Sequence, residues 1–314
     1  MNVSSERAAS GSGWRPGAPP RAPVLLINPR SGGGRAADAR LAEHAREQGI
    51  EAVVLTPGQS LAALVRDAVA SGADALGMAG GDGSLAVVAA FALAHGLPFI
   101  CIPAGTRNHF ALDVGIDRSD LVGALAAFTD GVERGIDVGA VNGRMFLNNV
   151  SLGVYGDAVR HDAYRDAKLR TLLTTARAGL SSTRPPPPLR FVDDDGEVHS
   201  QPAVVLVSNN PYALEPPHVA GTRPQLDSGR LGIVVLDAPG SGRNPPTKTW
   251  SAPTFEVHAS GPVHSGIDGE AVALDAHLKF EIQPKALRVR ISSRHPGVSP
   301  SGRLAYRGPP RRPR

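Results

Sequence analysis

From Val24 onward the chain alternates short, apolar, β-rich runs with amphipathic stretches, a rhythm that predicts a parallel sheet covered by helices. Strands are expected over 24–28, 52–56, 73–78 and 98–102. Between them, residues 36–48 place Ala37, Leu41 and Ala45 on one helical face and stop at Gly49, while 60–70 place Leu61, Leu64 and Val65 in the same way. Beyond about Asp137 the texture changes. Apolar runs at 145–152, 203–207, 232–236 and 287–291 are punctuated by turn residues, which predicts a mainly antiparallel second domain. A helical insert is expected over 157–178, followed by a stiff connector at Pro185 to Pro188, and Asp195-Gly196 reads as a hairpin turn.

The length of 314 residues fits two domains of ordinary size, and no apolar run approaches the roughly 20 residues that span a bilayer. Residues 1–21 are rich in Gly, Ser and Pro and are expected to be a flexible tail. The expected division is therefore 22–136 for the α/β domain, 137–293 for the β domain, and 294–314 for a basic tail rich in Pro and Arg. Net charge is only +4, yet Arg303 to Arg314 contains five Arg and no acid, a feature either of a solvated end or of a segment that meets anionic lipid. Nucleic acid is not an expected partner: aromatic residues make up 4% of the chain and form no stacking pattern. Cys101, the single cysteine, falls in an apolar run and is read as core, which fits a reducing cytoplasm.

Candidate chemistry lies in three turns that each follow a strand. Asn28-Pro29-Arg30-Ser31-Gly32-Gly33-Gly34 opens the first helix, and its glycines allow backbone amides to approach an anion. Gly80-Gly81-Asp82-Gly83-Ser84 repeats the arrangement, with Ser84 expected to cap the helix over 85–94. Asp82 either supplies a carboxylate to the Mg²⁺ that accompanies a triphosphate or makes an Asx turn. In the third turn, 103–110, Thr106 and Asn108 offer neutral donors and acceptors, Arg107 offers charge, and His109 reads as a capping or solvated residue. Turns at the carboxyl ends of strands of one sheet line a common crevice, the usual ligand position in open α/β sheets.

These segments resemble, in order, the NPxSG, GGDG(T/S) and PxGTxNxF elements of the diacylglycerol kinase catalytic-domain family, which includes sphingosine and ceramide kinases and bacterial lipid kinases. Asn148-Asn149 with Gly153, and Gly266-Ile267-Asp268-Gly269-Glu270, resemble later elements of the same family, so the resemblance spans about 24–292. It implies an N-terminal α/β domain like that of NAD kinase and phosphofructokinase, followed by a mainly antiparallel β-sandwich. It implies ATP and Mg²⁺, with Asn28, Ser31, Gly32, Gly80, Gly81, Asp82, Gly83, Ser84, Thr106 and Asn108 at the nucleotide, and Asp82 reaching the metal through ATP. Glu270 would accept the proton of a lipid hydroxyl, with Asp82 as its catalytic partner. A structural Mg²⁺ of bacterial members corresponds to Asp227, displaced by one residue in Asp227-Ser228-Gly229. The implied acceptor is a lipid at the membrane surface, diacylglycerol by family default, and the implied location is the cytoplasm in peripheral contact with the membrane. The alternatives are an NAD kinase-like small-molecule kinase, which explains the Asp-Gly-Glu and 103–110 elements less well, and a non-catalytic lipid-binding protein of the same fold. The identity of the lipid and the oligomeric state, a homodimer included, are not written in the sequence.

Overall fold

A computed structural model describes residues 13–153, 188–200, 202, 204–214, 221–236 and 247–306. The expected insert at 157–178 and most of the proline connector lie outside the described residues. The chain divides into two compact units, one running to Ile136 and resuming at Lys285–Arg303, the other holding Asp137–Pro284 and the residues from Leu304.

The first unit is built on a parallel sheet. Phe99–Ile102, Ala75–Ala79, Pro23–Ile27 and Glu51–Val54 lie side by side in that order. The first three are buried along their whole length, which is why they read as continuous apolar runs rather than as alternating ones. The run at 287–291 was expected in the second domain. It is instead the end of a long strand, His277–Ser292, whose Val289 and Arg290 pair in parallel with Phe99 and Ile100. A strand as buried as Phe99–Ile102 needs neighbours on both edges to satisfy its backbone, and only this late segment supplies the second. The expected boundary at 293 is corrected accordingly: the unit boundary falls at Pro284, next to Lys285 at φ +51°.

One helical expectation also changes. Residues 36–48 form two short helices, Arg35–Asp38 and Leu41–Glu47, because Arg40 between them is left-handed at φ +47°. The break shifts the buried face, so Ala36 rather than Ala37 enters the core beside Leu41 and Ala45. Leu61–Ala70 is a single helix, with Ser60 accepting the Ala63 amide as its N-cap.

Two described segments near the ends pack where their composition suggests disorder. Trp14, expected in a flexible tail, is buried and donates its indole N–H to the Gly297 carbonyl at 2.6 Å. Residues 294–303, expected in a basic tail, pack as well. His295 Nδ1 accepts the Asp117 amide at 3.2 Å, and Ser301 is fully buried in the helix Pro300–Tyr306. Large apolar and small polar groups meeting across the chain outweigh the local preference for disorder.

The second unit contains a six-stranded antiparallel sheet in the order Thr247–Ala252, Leu231–Leu236, Val204–Asn209, Asn149–Leu152, Val263–Ile267, Glu270–Leu274. Val198–Ser200, Leu189–Val192, Thr254–Ala259 and the first half of His277–Ser292 lie side by side in that order, and Arg144–Phe146 pairs with Gly131–Val141. One core unites Val150, Val205, Val207 and Ile233 of the six-stranded sheet with Phe191, Phe255, Val257 and Phe280, the interior of a β-sandwich. The run at 145–152 is not one strand. It breaks after Phe146, and Asn149 begins a strand of the six-stranded sheet. The Asp195-Gly196 hairpin forms as expected, with Asp193 Oδ1 accepting the amides of Asp195 and Glu197, both at 2.9 Å.

Candidate active site

The three glycine turns follow neighbouring parallel strands and touch one another within the first unit. Asn28 donates its amide to the Ala79 carbonyl at 2.9 Å, joining the first turn to the strand that carries the second. Its side-chain oxygen accepts the Arg30 amide at 3.1 Å, so Asn28 shapes its own turn. Gly32, Gly33 and Gly34 follow with φ of +59°, +75° and +97°, three successive left-handed residues that only glycine adopts cheaply. A side chain at Gly32 would run into the Ala104 carbonyl of the third turn. A Cβ at Gly105 would lie 2.7 Å from the Gly81 Cα and 3.0 Å from the Gly80 oxygen. Backbone therefore packs on backbone around all three turns.

Gly81 differs from these. Its φ of −85° is accessible to any residue, and nothing lies within 4 Å of the place a Cβ would take. Space beside the turn, rather than conformation, is what glycine preserves here.

The helix after the second turn begins at Asp82 and not at Leu85, running Asp82–Ala94 with Gly81 as N-cap. Ser84 is thus a residue of the first helical turn and does not cap it. The Asp82 carboxylate accepts the amides of His109 at 3.3 Å and Phe110 at 3.1 Å, the opening residues of the helix His109–Asp113. His109 contributes this backbone N–H to the site.

Asn108 is buried and left-handed, at φ +53°. Its side-chain NH₂ donates to the carbonyls of Pro103 at 3.0 Å and Gly105 at 2.7 Å. Both donors expected for a ligand are therefore spent on the third turn itself. The Oδ1 atom is buried without a hydrogen-bond partner, which leaves an acceptor for a donor group brought from outside. Thr106 and Arg107 are exposed at the tip of that turn, and Ser31 is half-buried in the first. Burial pushes the Cys101 thiol well above its usual range, with the Asp82 charge adding to the effect, as befits core packing.

Arg35 was not singled out by sequence. Its guanidinium donates to the carbonyls of Pro103 at 3.2 Å, Gly105 at 3.3 Å and Arg118 at 2.7 Å, bracing the third turn from the first helix. Its position right after Gly34 was the available signal.

In the second unit, Asp268 and Gly269 have φ of +48° and +88°, and Ile267 pairs with Glu270 across this two-residue hairpin turn. Glu270 emerges from it exposed. Asp268 is buried and accepts the amides of Leu147 at 2.8 Å, Asn148 at 2.7 Å and Asn149 at 3.2 Å. It thereby holds the corner where Arg144–Phe146 gives way to Asn149–Leu152. Arg223, fully buried, donates to the Leu147 and Asn209 carbonyls, both at 2.7 Å, and to Asn148 Oδ1 at 3.0 Å. Neither residue's structural role was foreseen, because each depends on partners distant in sequence.

Asp227 is half-buried in its turn. The Gly229 amide donates to the carboxylate of buried Asp137 at 2.7 Å, while Asn210 Oδ1 accepts the Ser228 amide at 2.9 Å. Among the described residues, neither Asp227 nor Asp82 stands within a cluster of three metal-ligating side chains. No helix among the described residues is long and apolar enough to cross a membrane.

The class so defined is an α/β unit with clustered glycine turns at the carboxyl ends of parallel strands, joined to an antiparallel β-sandwich. Residues 22–141 match the family model of the diacylglycerol kinase catalytic domain, so the α/β unit carries a domain of that family, with the NAD kinase-like fold. A protein of Pseudomonas aeruginosa (strain UCBPP-PA14) named "Probable lipid kinase YegS-like" is 29% identical over 310 residues, covering 92% of this chain and 97% of the relative. The diacylglycerol kinase of Bacillus subtilis (strain 168) is 44% identical over 72 residues, 22% of this chain and 24% of that protein. A crystal structure of a diacylglycerol kinase from Bacillus anthracis str. Sterne shares the fold, with a TM-score of 0.59 and 18% identity, over 86% of this chain and 96% of that one.

Proposed function

We propose that this protein transfers the γ-phosphoryl group of ATP to the hydroxyl of a lipid, diacylglycerol or a similar alcohol, at a membrane surface facing the cytoplasm. The observation that carries the reading is the contact of three glycine turns around Asp82 and the unfilled space beside Gly81. The residues fit a nucleotide: backbone amides approach phosphates where side chains are missing, and the orphan Oδ1 of Asn108 suits a donor on the ribose or base.

In this reading Asn28, Ser31, Gly32, Gly80, Gly81, Gly83, Ser84 and Thr106 surround the nucleotide. Asp82 would hold Mg²⁺ through the phosphates, and the ion would neutralise charge that develops on them. Two amides already organise the Asp82 carboxylate, so its oxygens keep their direction when a cation arrives. Glu270 accepts the proton of the lipid hydroxyl as its oxygen bonds to the γ-phosphorus. The bond to the bridging oxygen breaks at the same time, releasing ADP. Exposure at the end of a rigid hairpin supports that assignment, because a base must reach a substrate that arrives from outside.

The test is incubation of the purified protein with γ-labelled ATP, Mg²⁺ and a total lipid extract, followed by mass identification of any labelled lipid. Label in diacylglycerol or another lipid alcohol supports the reading. Label in NAD alone, supplied in parallel, or ATP that stays intact in both arms, overturns it.

A further inference from the structure

The second unit gathers Glu256, His258 and His277 on one exposed face, with one potential ligand atom of each within 4.8 Å of the others. We propose that these three side chains form a binding site for a divalent transition-metal ion of the zinc class, separate from any Mg²⁺ carried by ATP.

The backbone places all three. Glu256 and His258 are two residues apart on Thr254–Ala259 and so share a face, while His277 is the cross-strand partner of His258. The next pair along, Ala259 and Ala276, is joined by a backbone hydrogen bond of 2.7 Å. His258 and His277 therefore occupy a non-hydrogen-bonded pair, the kind in which side chains stand closest. Their rings stack at 4.4 Å, and His277 Nε2 lies 3.3 Å from Glu256 Oε2. Ligand atoms held tetrahedrally at about 2.1 Å from a metal are roughly 3.4 Å apart. The Glu256–His277 spacing already meets that value, and the exposed His258 ring would turn out of its stack on His277 to bring a nitrogen to the same ion.

The scaffold beneath is rigid. Phe255, Val257, Leu278 and Phe280, which alternate with the three residues, are all buried in the sandwich core. Donor chemistry selects the metal: two imidazoles and one carboxylate suit Zn²⁺, Cu²⁺ or Ni²⁺, whereas Mg²⁺ prefers an all-oxygen shell. Three protein ligands leave a fourth position for water. Two cations share the face, Arg190 opposite His258 and Lys279 opposite Glu256. They offset the carboxylate charge and make this a weaker, exchangeable site rather than a permanent structural one. A bound ion would bridge two strands and stabilise the folded unit by mass action.

The experiment is calorimetric titration of the untagged, chelator-treated full chain with ZnCl₂ in the presence of excess MgCl₂, with melting temperature followed in parallel. One zinc per chain is expected, together with a rise in melting temperature. His277→Ala and His258→Ala should each weaken binding at least tenfold and abolish that rise, and Glu256→Gln should weaken binding less. All three positions are exposed, so circular dichroism and the zinc-free melting temperature should match the parent. Cobalt(II) should give visible absorption bands of tetrahedral type that the double histidine variant lacks. No saturable zinc binding in the parent, or an unchanged titration in the double histidine variant, overturns the proposal. Neither result bears on phosphoryl transfer.

Discussion

The Asp82 carboxylate accepts the backbone amide of Phe110 at 3.1 Å, across 28 residues of chain. It ties the first turn of the long helix Asp82–Ala94 to the start of the next helical segment. One acid thus sets the spacing of the second and third turns and stands as the candidate metal-facing group. Asp82→Asn keeps the shape but offers one acceptor oxygen where there were two. It should lower kcat/KM at least about 100-fold and raise the Mg²⁺ requirement, with a stability loss of about 1–3 kcal/mol from weakened charge-assisted bonds. Near-normal kinetics in a folded variant would remove Asp82 from the site.

Gly81 and Gly105 separate function from folding. Gly81→Val projects into open space from an ordinary backbone conformation, so the variant should melt close to the parent while ATP affinity falls about 100-fold or more. Gly105→Val has backbone of the second turn within 2.7 Å and should fold poorly or not at all. Parallel melting curves and nucleotide titrations distinguish the two. Unchanged ATP binding in folded Gly81→Val would refute the nucleotide assignment.

Glu270 and Asp268 make a similar contrast in the second unit. Glu270→Gln, at an exposed position, should leave stability within about 0.5 kcal/mol and lower kcat about 100-fold or more with little change in ATP affinity. Asp268→Ala strands three buried amides and should cost upwards of about 3 kcal/mol, measured by urea denaturation. Normal turnover in Glu270→Gln would move the role of base to another group.

Acid should loosen the second unit through Asp193. Lys248 Nζ, His199 Nε2 at 2.7 Å and two amides hold its carboxyl far below the usual carboxylate range. A depressed folded-state pKa stabilises fully above the unfolded value near 4, and that stability fades as pH falls further toward the folded value. Lys248 is shifted upward by the same pairing, so its contribution holds below the ordinary lysine range and fades only above it. Melting temperature should therefore fall between pH 4 and pH 2 more steeply in the parent than in Asp193→Asn, the comparison that checks it.

The basic end calls for a cut placed by structure. Removal from Arg303 would destroy the helix Pro300–Tyr306, whose Ser301 is buried, so truncation should follow Tyr306. Loss of the four Arg in 307–314 should weaken sedimentation with anionic vesicles, at about 1 kcal/mol per Arg at low salt. Equal sedimentation of the two proteins would assign the segment no part in lipid contact.

The parallel strands of the first unit, the three glycine turns and the Asp195-Gly196 hairpin were legible in sequence, because each is a local matter. Continuous apolar runs, consecutive glycines and an Asp-Gly pair restrict backbone choices within a few residues. Tertiary structure decided what local rules leave open. Only folding brings Val289 and Arg290 beside Phe99 and Ile100, buries Trp14 against Gly297, and gives Asp82 and Asp268 amides to hold from 28 and about 120 residues away. Those pairings carry no signature in either partner alone, since a carboxylate before glycine looks the same whether it meets water, a metal or a distant N–H. Burial settles the matter: an acid withdrawn from water must find donors, and the fold supplies whichever amides the strand order has placed there.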